Sequence, residues 1–229
     1  MSMLFAPAVS LMQRLRYPLK FALIGLVAFV TVAYLVTVLS LSLGKTIGQS
    51  RLELEGIESI RPVLRVVQLV QQHRDMVGGV LAGNAGMRDG VKQKTAEVEE
   101  AIRQADAKLA GRAVAARQQE AWKILKDEWA TLAAGWQDLT SQLSFIAHRS
   151  VIQNAMQIIS GIGEDSSLLM DPDLDSYYLA NTALFVMPDT IERLSIIRGA
   201  GNALLTAKSI SDYEKHEFST WLGVLGKMN

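Results

Sequence analysis

Cysteine is absent from this 229-residue chain, which excludes disulfide bonds, thiolate metal sites and cysteine nucleophiles. An excess of charge is absent too, because 23 Lys and Arg residues balance 23 Asp and Glu residues. The net charge therefore gives no indication of a nucleic-acid partner. Strand signals such as alternating β-branched runs are also missing, and helical periodicity dominates. Together these features predict an all-α protein.

Motifs for catalysis and metal binding are missing as well. The three histidines lie far apart in the sequence and form no H-x-x-x-H pair. There is no G-x-S-x-G motif, and the Arg-Gly-Ala-Gly segment at 198–201 is not followed by the Gly-Lys-Ser/Thr of a phosphate loop. We therefore predict that this chain is not an enzyme and holds no metal or cofactor.

Residues 21–44 form an uncharged and predominantly apolar run. About 20 apolar residues in a helix cross the ~30 Å hydrocarbon core of a bilayer. The run is too long for the apolar region of a cleaved signal peptide, which is the competing interpretation. We therefore predict an uncleaved transmembrane helix.

The charges flanking this run predict its orientation. Arg14, Arg16 and Lys20 precede it, whereas Lys45 and Arg51 are the first basic residues after it. Basic residues tend to remain in the cytoplasm. We therefore predict a cytoplasmic tail at 1–20, the membrane helix at 21–44, and a domain at 45–229 on the far side of the membrane.

Helical periodicity divides the outer domain into an antiparallel bundle. The long third helix, at 112–170, could be broken near Gly161 and Gly163, and we expect Pro188 to end the fourth helix, at 174–186. The capping-box sequence Ser-Asp-Tyr-Glu at 211–214 predicts the start of a last helix. The predicted helices span 45–82, 87–110, 112–170, 174–186 and 189–207, with a glycine-rich turn at 83–86.

A heptad seam runs through the third predicted helix. Its apolar positions alternate three and four residues apart, which predicts a helix packed in a bundle. Three tryptophans on one stripe are more typical of a core than of a ligand cage. The seam residues are Trp122, Leu125, Trp129, Leu132, Trp136, Leu139, Leu143 and Ile146.

Two polar residues interrupt the seam of the first outer helix. Gln71 and Arg74 occupy positions where valine or leucine would be expected, and Gly78 and Gly79 follow one turn later. A buried guanidinium requires an anion or several carbonyl partners. The pattern indicates either an anion site inside the bundle, or an ion pair between Arg74 and an acid of a neighbouring helix.

Three aspartates alternate at 171, 173 and 175, as in a calcium loop. Such a loop also requires Gly at its sixth position and Glu at its twelfth. Ser176 and Thr182 stand there instead, so we interpret Asp173 or Asp175 as a helix N-cap.

Two segments resemble known sensory proteins. Residues 168–179, LLMDPDLDSYYL, are similar to a segment in the periplasmic sensor regions of bacterial methyl-accepting chemotaxis proteins, and of some sensor kinases and diguanylate cyclases. Residues 71–83, QQHRDMVGGVLAG, resemble the Q-x-E-R-G-x-S-A-G-x-L stretch of nitrate/nitrite-sensing helical domains.

This resemblance implies specific ligand-binding residues. In the nitrate-sensing family, arginines on bundle helices hold the anion. Arg74 matches the motif arginine, Arg198 lies in a similar Arg-Gly setting, and Gln71 begins the motif. His73, Asp75 and Val77 depart from the family pattern. The carboxylate of Asp75 would weaken anion binding if it pointed inward.

The resemblance also implies a function and a location. We expect the input region of a bacterial inner-membrane receptor, first of all a methyl-accepting chemotaxis protein, with residues 45–229 periplasmic, a homodimeric assembly and a small anionic ligand such as nitrate or nitrite. The alternatives are the input region of a diguanylate cyclase or histidine kinase, and an anchored scaffold bundle without a ligand. We expect the sensor region to be incomplete at its C-terminus, because such receptors continue through a second span into a signalling module.

Overall fold

A computed structural model describes residues 16–110, 114–169 and 174–207, together with isolated positions between 212 and 223. Every regular element in these ranges is helical, which confirms the all-α prediction. The helices are α1 (Tyr17–Leu81), α2 (Arg88–Leu109), α3 (Ala116–Gly135), α4 (Ser141–Asp165), α5 (Leu174–Asn181) and α6 (Met187–Ala207). Short 3-10 turns cover Ala85–Met87 and Trp136–Asp138, and a π turn covers Thr182–Val186.

The chain divides into two compact units, Met1–Ser50 and Arg51–Asn229, and the boundary falls within α1. The described part of the first unit is long and apolar enough to cross a membrane, with a mean hydropathy of 2.5 in its most apolar window. Its apolar side chains are exposed. The hydroxyls of Thr31 and Thr37 each donate to a carbonyl one turn earlier at 2.8 Å, so these polar groups are satisfied within the helix.

Antiparallel helix pairs build the second unit. Between α1 and α2, His73 contacts Thr95, and Lys108 pairs with Glu58, so the two helices run antiparallel. The glycine-rich turn predicted between these helices is confirmed: Gly83 adopts a φ of +107°, which favours glycine. Between α3 and α4, Asn154 donates to Glu128 and Gln118 lies opposite Asp165, again in antiparallel order.

The predicted tryptophan stripe packs in the bundle core. Trp122, Trp129 and Trp136 are all buried, together with aliphatic side chains of α1, α2 and α4. The indole of Trp122 donates to Asp106 of α2 at 2.7 Å, which ties α3 to α2. The interpretation of this stripe as a packing surface is therefore confirmed.

The prediction of one long third helix over 112–170 is wrong. Helix α3 ends at Gly135, and α4 begins after Thr140, whose hydroxyl caps it by accepting the Leu143 amide at 3.2 Å. Glycine is a weak helix former and threonine a good N-cap, so the break falls where these residues occur. Beyond it the heptad pattern no longer describes burial, and Leu143 and Ile146 are both exposed.

The suggested break near Gly161 and Gly163 is wrong too. Helix α4 passes through both glycines, and both are buried. A side chain at Gly161 would overlap Gln118 of α3, so this glycine permits close approach of the two helices.

Pro188 does not end a helix, contrary to the prediction. The π turn at Thr182–Val186 leads directly into α6, and Pro188 is the second residue of that helix. Proline lacks an amide hydrogen and clashes with the preceding turn of an α-helix. The wider π turn lies where that conflict would otherwise interrupt the helix. Ser211, Tyr213 and Glu214 of the predicted capping box and the aspartates at 171 and 173 lie outside the described residues. Asp175 lies in the first turn of α5 and is therefore not its N-cap.

We expect Gly56→Ala to destabilise the bundle by about 1–3 kcal/mol through overpacking. The new methyl group would overlap the side chain of Ser166, which is buried and fixed by a 2.6 Å hydrogen bond to the Ile162 carbonyl. Gly78→Ala is the matched control in the same helix, because nothing lies within 4 Å of the position its methyl group would take. That control should gain about 0.5–1 kcal/mol from helix propensity. Thermal melting of both variants tests the contrast, and equal melting shifts would contradict it.

Candidate functional site

Arg74 is buried between α1 and α6 and is only 4% exposed. Its two terminal nitrogens donate to the two carboxylate oxygens of Glu192, at 2.6 Å and 3.3 Å. One of them also donates to the Ser195 hydroxyl at 3.1 Å. The structure thus places an acid of another helix against Arg74, which was one of the two interpretations of the seam.

Gln71 belongs to the same cluster. Its side-chain amide donates to Oε2 of Glu192 at 2.7 Å. Glu192 therefore accepts hydrogen bonds from two α1 side chains that lie about one helical turn apart. The ring of Phe145, on α4, lies 5.4 Å from the guanidinium carbon of Arg74 and covers it with an aromatic face.

Arg198 lies further along α6 and also pairs with an α1 carboxylate. Its Nε donates to Oδ2 of Asp75 at 3.0 Å, and a second guanidinium nitrogen donates to the same oxygen. Ser195 links the two arginines, since its hydroxyl also lies 3.4 Å from Arg198. The structure therefore brings all three predicted residues, Gln71, Arg74 and Arg198, to one α1–α6 seam.

The two arginines differ in their access to solvent. Arg198 is 58% exposed, whereas Arg74 is almost fully covered. A cavity of about 670 Å³ opens beside the Arg198–Asp75 pair, lined also by Gln72, Met76 and Gly79. Gly79 also borders Met87, which a methyl group at that glycine would approach to 2.5 Å.

The side chain of Asp75, which departs from the family pattern, points inward. Its Oδ1 is buried, accepts no hydrogen bond from the residues that the structure describes, and lies 3.8 Å from Nε of Arg74. Burial raises the pKa of this carboxyl, while the hydrogen bond from Arg198 opposes the rise. The seam therefore carries two cations and two carboxylates, and each arginine has a carboxylate of the protein as its present partner.

A histidine pair lies in the core beside this seam. Nδ1 of His73 is 2.8 Å from Nε2 of His148, and Nδ1 of His148 donates to the Ser144 carbonyl at 2.7 Å. Burial lowers the pKa of His73 to about 3 and that of His148 to about 4. Both rings are neutral at ordinary pH and act as polar links between α1 and α4.

Sequence reasoning missed Glu192 and the histidine pair. Glu192 lies in a helix that also carries Asp189, Arg193 and Arg198, and nothing in the local sequence distinguishes it from an acid on the surface. The two histidines are 75 positions apart, so their contact follows only from the bundle. Among the described residues, no group of three or more His, Cys, Asp or Glu side chains has the arrangement of a metal site.

The fold and seam define a helical-bundle domain with one buried and one exposed arginine, each paired with a carboxylate between α1 and α6, on a chain with one membrane-length helix. Residues 65–225 match the family model described as nitrate and nitrite sensing. The match covers more than two thirds of the chain, so the protein belongs to this family of sensor domains. Neither the curated proteins nor the solved structures contain a match.

Proposed function

We propose that this chain is the input region of a bacterial transmembrane receptor and that it detects nitrate or nitrite at the α1–α6 seam. The observation that carries the proposal is the buried Arg74, which lies within the region matched by the sensor family and faces α6 with both terminal nitrogens. A guanidinium offers two parallel donors, a geometry that suits a planar oxyanion. The side-chain amide of Gln71 supplies a further donor beside it, and the Ser195 hydroxyl accepts from the same guanidinium.

The anion would take the place of the Glu192 carboxylate. Both groups carry one negative charge on a planar arrangement of oxygens, so exchange leaves the charge of the seam unchanged. A ligand shifts a conformational equilibrium only if it binds two states with different affinity. Removal of Glu192 from Arg74 supplies such a difference, because it releases a contact between α1 and α6.

The remaining features of the proposal concern membrane topology and assembly. We propose that residues 1–20 are cytoplasmic, 21–44 cross the inner membrane and 45–229 are periplasmic, in keeping with the basic residues before the span. The sequence passes from the span into the first outer helix at Lys45, so repacking of α1 would reach the membrane directly. A homodimer and a chemotaxis output are the preferred assembly and signalling route, and the chain itself performs no catalysis.

A scaffold without a small ligand is the second candidate function. The observation that favours it is that both seam arginines already have carboxylate partners, Glu192 and Asp75. In that case the α1–α6 contacts would only hold the bundle together and present its surface to another membrane protein.

Nitrate titration of the full chain in nanodiscs distinguishes these functions. Arg74→Met combined with Glu192→Leu removes both charges and retains side-chain volume, so the bundle should still fold. We expect calorimetry to detect nitrate or nitrite binding to the wild type and no binding to this double variant. Arg103→Ala is the control, because Arg103 is exposed and pairs with Glu100, which lies beside it on α2. Equal responses of the wild type and the double variant would exclude Arg74 as the anion ligand.

A further inference from the structure

Glu192 binds Arg74 and also lines a second cavity. This cavity has a volume of about 410 Å³ and is formed by residues of α4 and α6. Glu192 and Arg149 both line it, with Gln153, Gln157 and Arg193 among their neighbours. The residue that pairs with Arg74 therefore lines a cavity that is also lined by a cation of α4, Arg149.

The two arginines that line this cavity, Arg149 and Arg193, differ in their ion pairs. Arg193 is held by Asp189, one turn earlier on α6, through a 2.7 Å hydrogen bond. Arg149, on α4, is exposed and forms no ion pair within the part of the chain that the structure describes. Arg149 is consequently a cation available to a carboxylate that leaves Arg74.

We propose that Glu192 is a displaceable counterion, which an incoming oxyanion transfers from Arg74 across the cavity to Arg149. The inference rests on the proposed function and adds the residue that receives Glu192. In the ligand-free form Glu192 links α6 to α1, and in the anion-bound form it links α6 to α4. The ligand thereby exchanges one interhelical ion pair for another.

Electrostatics explains why a receiving cation matters. A carboxylate that loses its ion-pair partner inside a protein remains costly unless it reaches water or another cation. The cavity provides room for the Glu192 side chain to turn, and Arg149 provides a partner there. The charge next to Arg74 stays the same, since the oxyanion takes the position that the Glu192 carboxylate leaves.

The test is a double-mutant cycle on nitrate affinity, measured by calorimetry on the full chain in nanodiscs. Glu192→Gln keeps the size of the side chain and an acceptor for Arg74 but removes the competing charge, so nitrate affinity should rise about tenfold. Arg149→Gln removes the receiving cation, so affinity should fall several-fold in the wild-type background. In the Glu192→Gln background the same change should have no effect, since no carboxylate needs a receiver. Arg103→Gln, which removes an exposed cation from α2, is the matched control for a general loss of positive charge.

The outcomes separate the two levels of the proposal. If neither the wild type nor Glu192→Gln binds nitrate or nitrite, the proposed function fails and the inference fails with it. If nitrate binds through Arg74 but Glu192→Gln leaves its affinity unchanged, the function stands and the counterion proposal is overturned. If Arg149→Gln weakens binding equally in both backgrounds, Arg149 acts as a general attractive charge, and transfer of Glu192 to it is overturned.

Discussion

Arg74→Ala should destabilise the bundle by about 3–5 kcal/mol, which corresponds to a fall in melting temperature on the order of 10 °C for a domain of this size. The substitution leaves the Glu192 carboxylate partly buried without the guanidinium that now binds both its oxygens. It also removes the positive charge beside Asp75 and the contact with the ring of Phe145. The loss should therefore exceed that of an ordinary exposed ion pair, which contributes at most about 1 kcal/mol.

Thermal melting of three variants tests the origin of this effect. Arg74→Met with Glu192→Leu should recover most of the stability lost in Arg74→Ala, because no uncompensated charge remains at Glu192. Arg103→Ala, in an exposed pair with Glu100, should melt within a few degrees of the wild type. A double variant no more stable than Arg74→Ala would show that lost packing, rather than an unpaired carboxylate, dominates.

Acidification from pH 7 to pH 4 should also destabilise the protein strongly, because of the buried histidine pair. An unfolded histidine titrates near 6.5, whereas burial lowers the pKa to about 3 for His73 and to about 4 for His148. Between these values the unfolded chain binds protons that the folded chain excludes. Stability is therefore greatest above pH 6.5 and falls as pH decreases towards 4, by about 3 kcal/mol for each histidine.

His73→Leu combined with His148→Leu supplies the control for this pH dependence. The double variant replaces both rings together, so neither histidine is left without its partner, and it should melt at a nearly constant temperature between pH 6.5 and pH 5. Asp75 acts in the opposite direction at lower pH, because its raised pKa favours protonation in the folded state. A wild-type melting temperature that is unchanged between pH 7 and pH 5 would mean that the two histidines are not buried as neutral rings.

Local residue choice was sufficient to predict some features of the fold. Gly83 marks the first turn because its positive φ favours a residue without a side chain, and the glycine-rich sequence predicted that turn. The burial of Gln71 and Arg74 followed from their position on an apolar seam. In both cases the signal lies within a few residues of the feature it predicts.

The features that sequence reasoning missed depend on distant parts of the chain or on weaker local signals. The partner of Arg74 is 118 positions away, and nothing near Glu192 distinguishes it from surface acids. The break between α3 and α4 was missed because the heptad pattern continues across it, although Gly135 and Thr140 provide an end and a cap. The residues of α6 that pair with α1 lie after a π turn, and a regular period of 3.6 residues cannot predict which way they face.

The π turn at Thr182–Val186 determines which way the side chains of α6 face around the helix axis. One additional residue in a turn displaces the downstream side chains by about 100° around the axis relative to an uninterrupted α-helix. Glu192, Ser195 and Arg198 all lie downstream, so their common orientation towards α1 depends on this single inserted residue. Insertions and deletions between Asn181 and Met187 would thus act on the arginine seam as rotations, even though none of the seam residues would be altered.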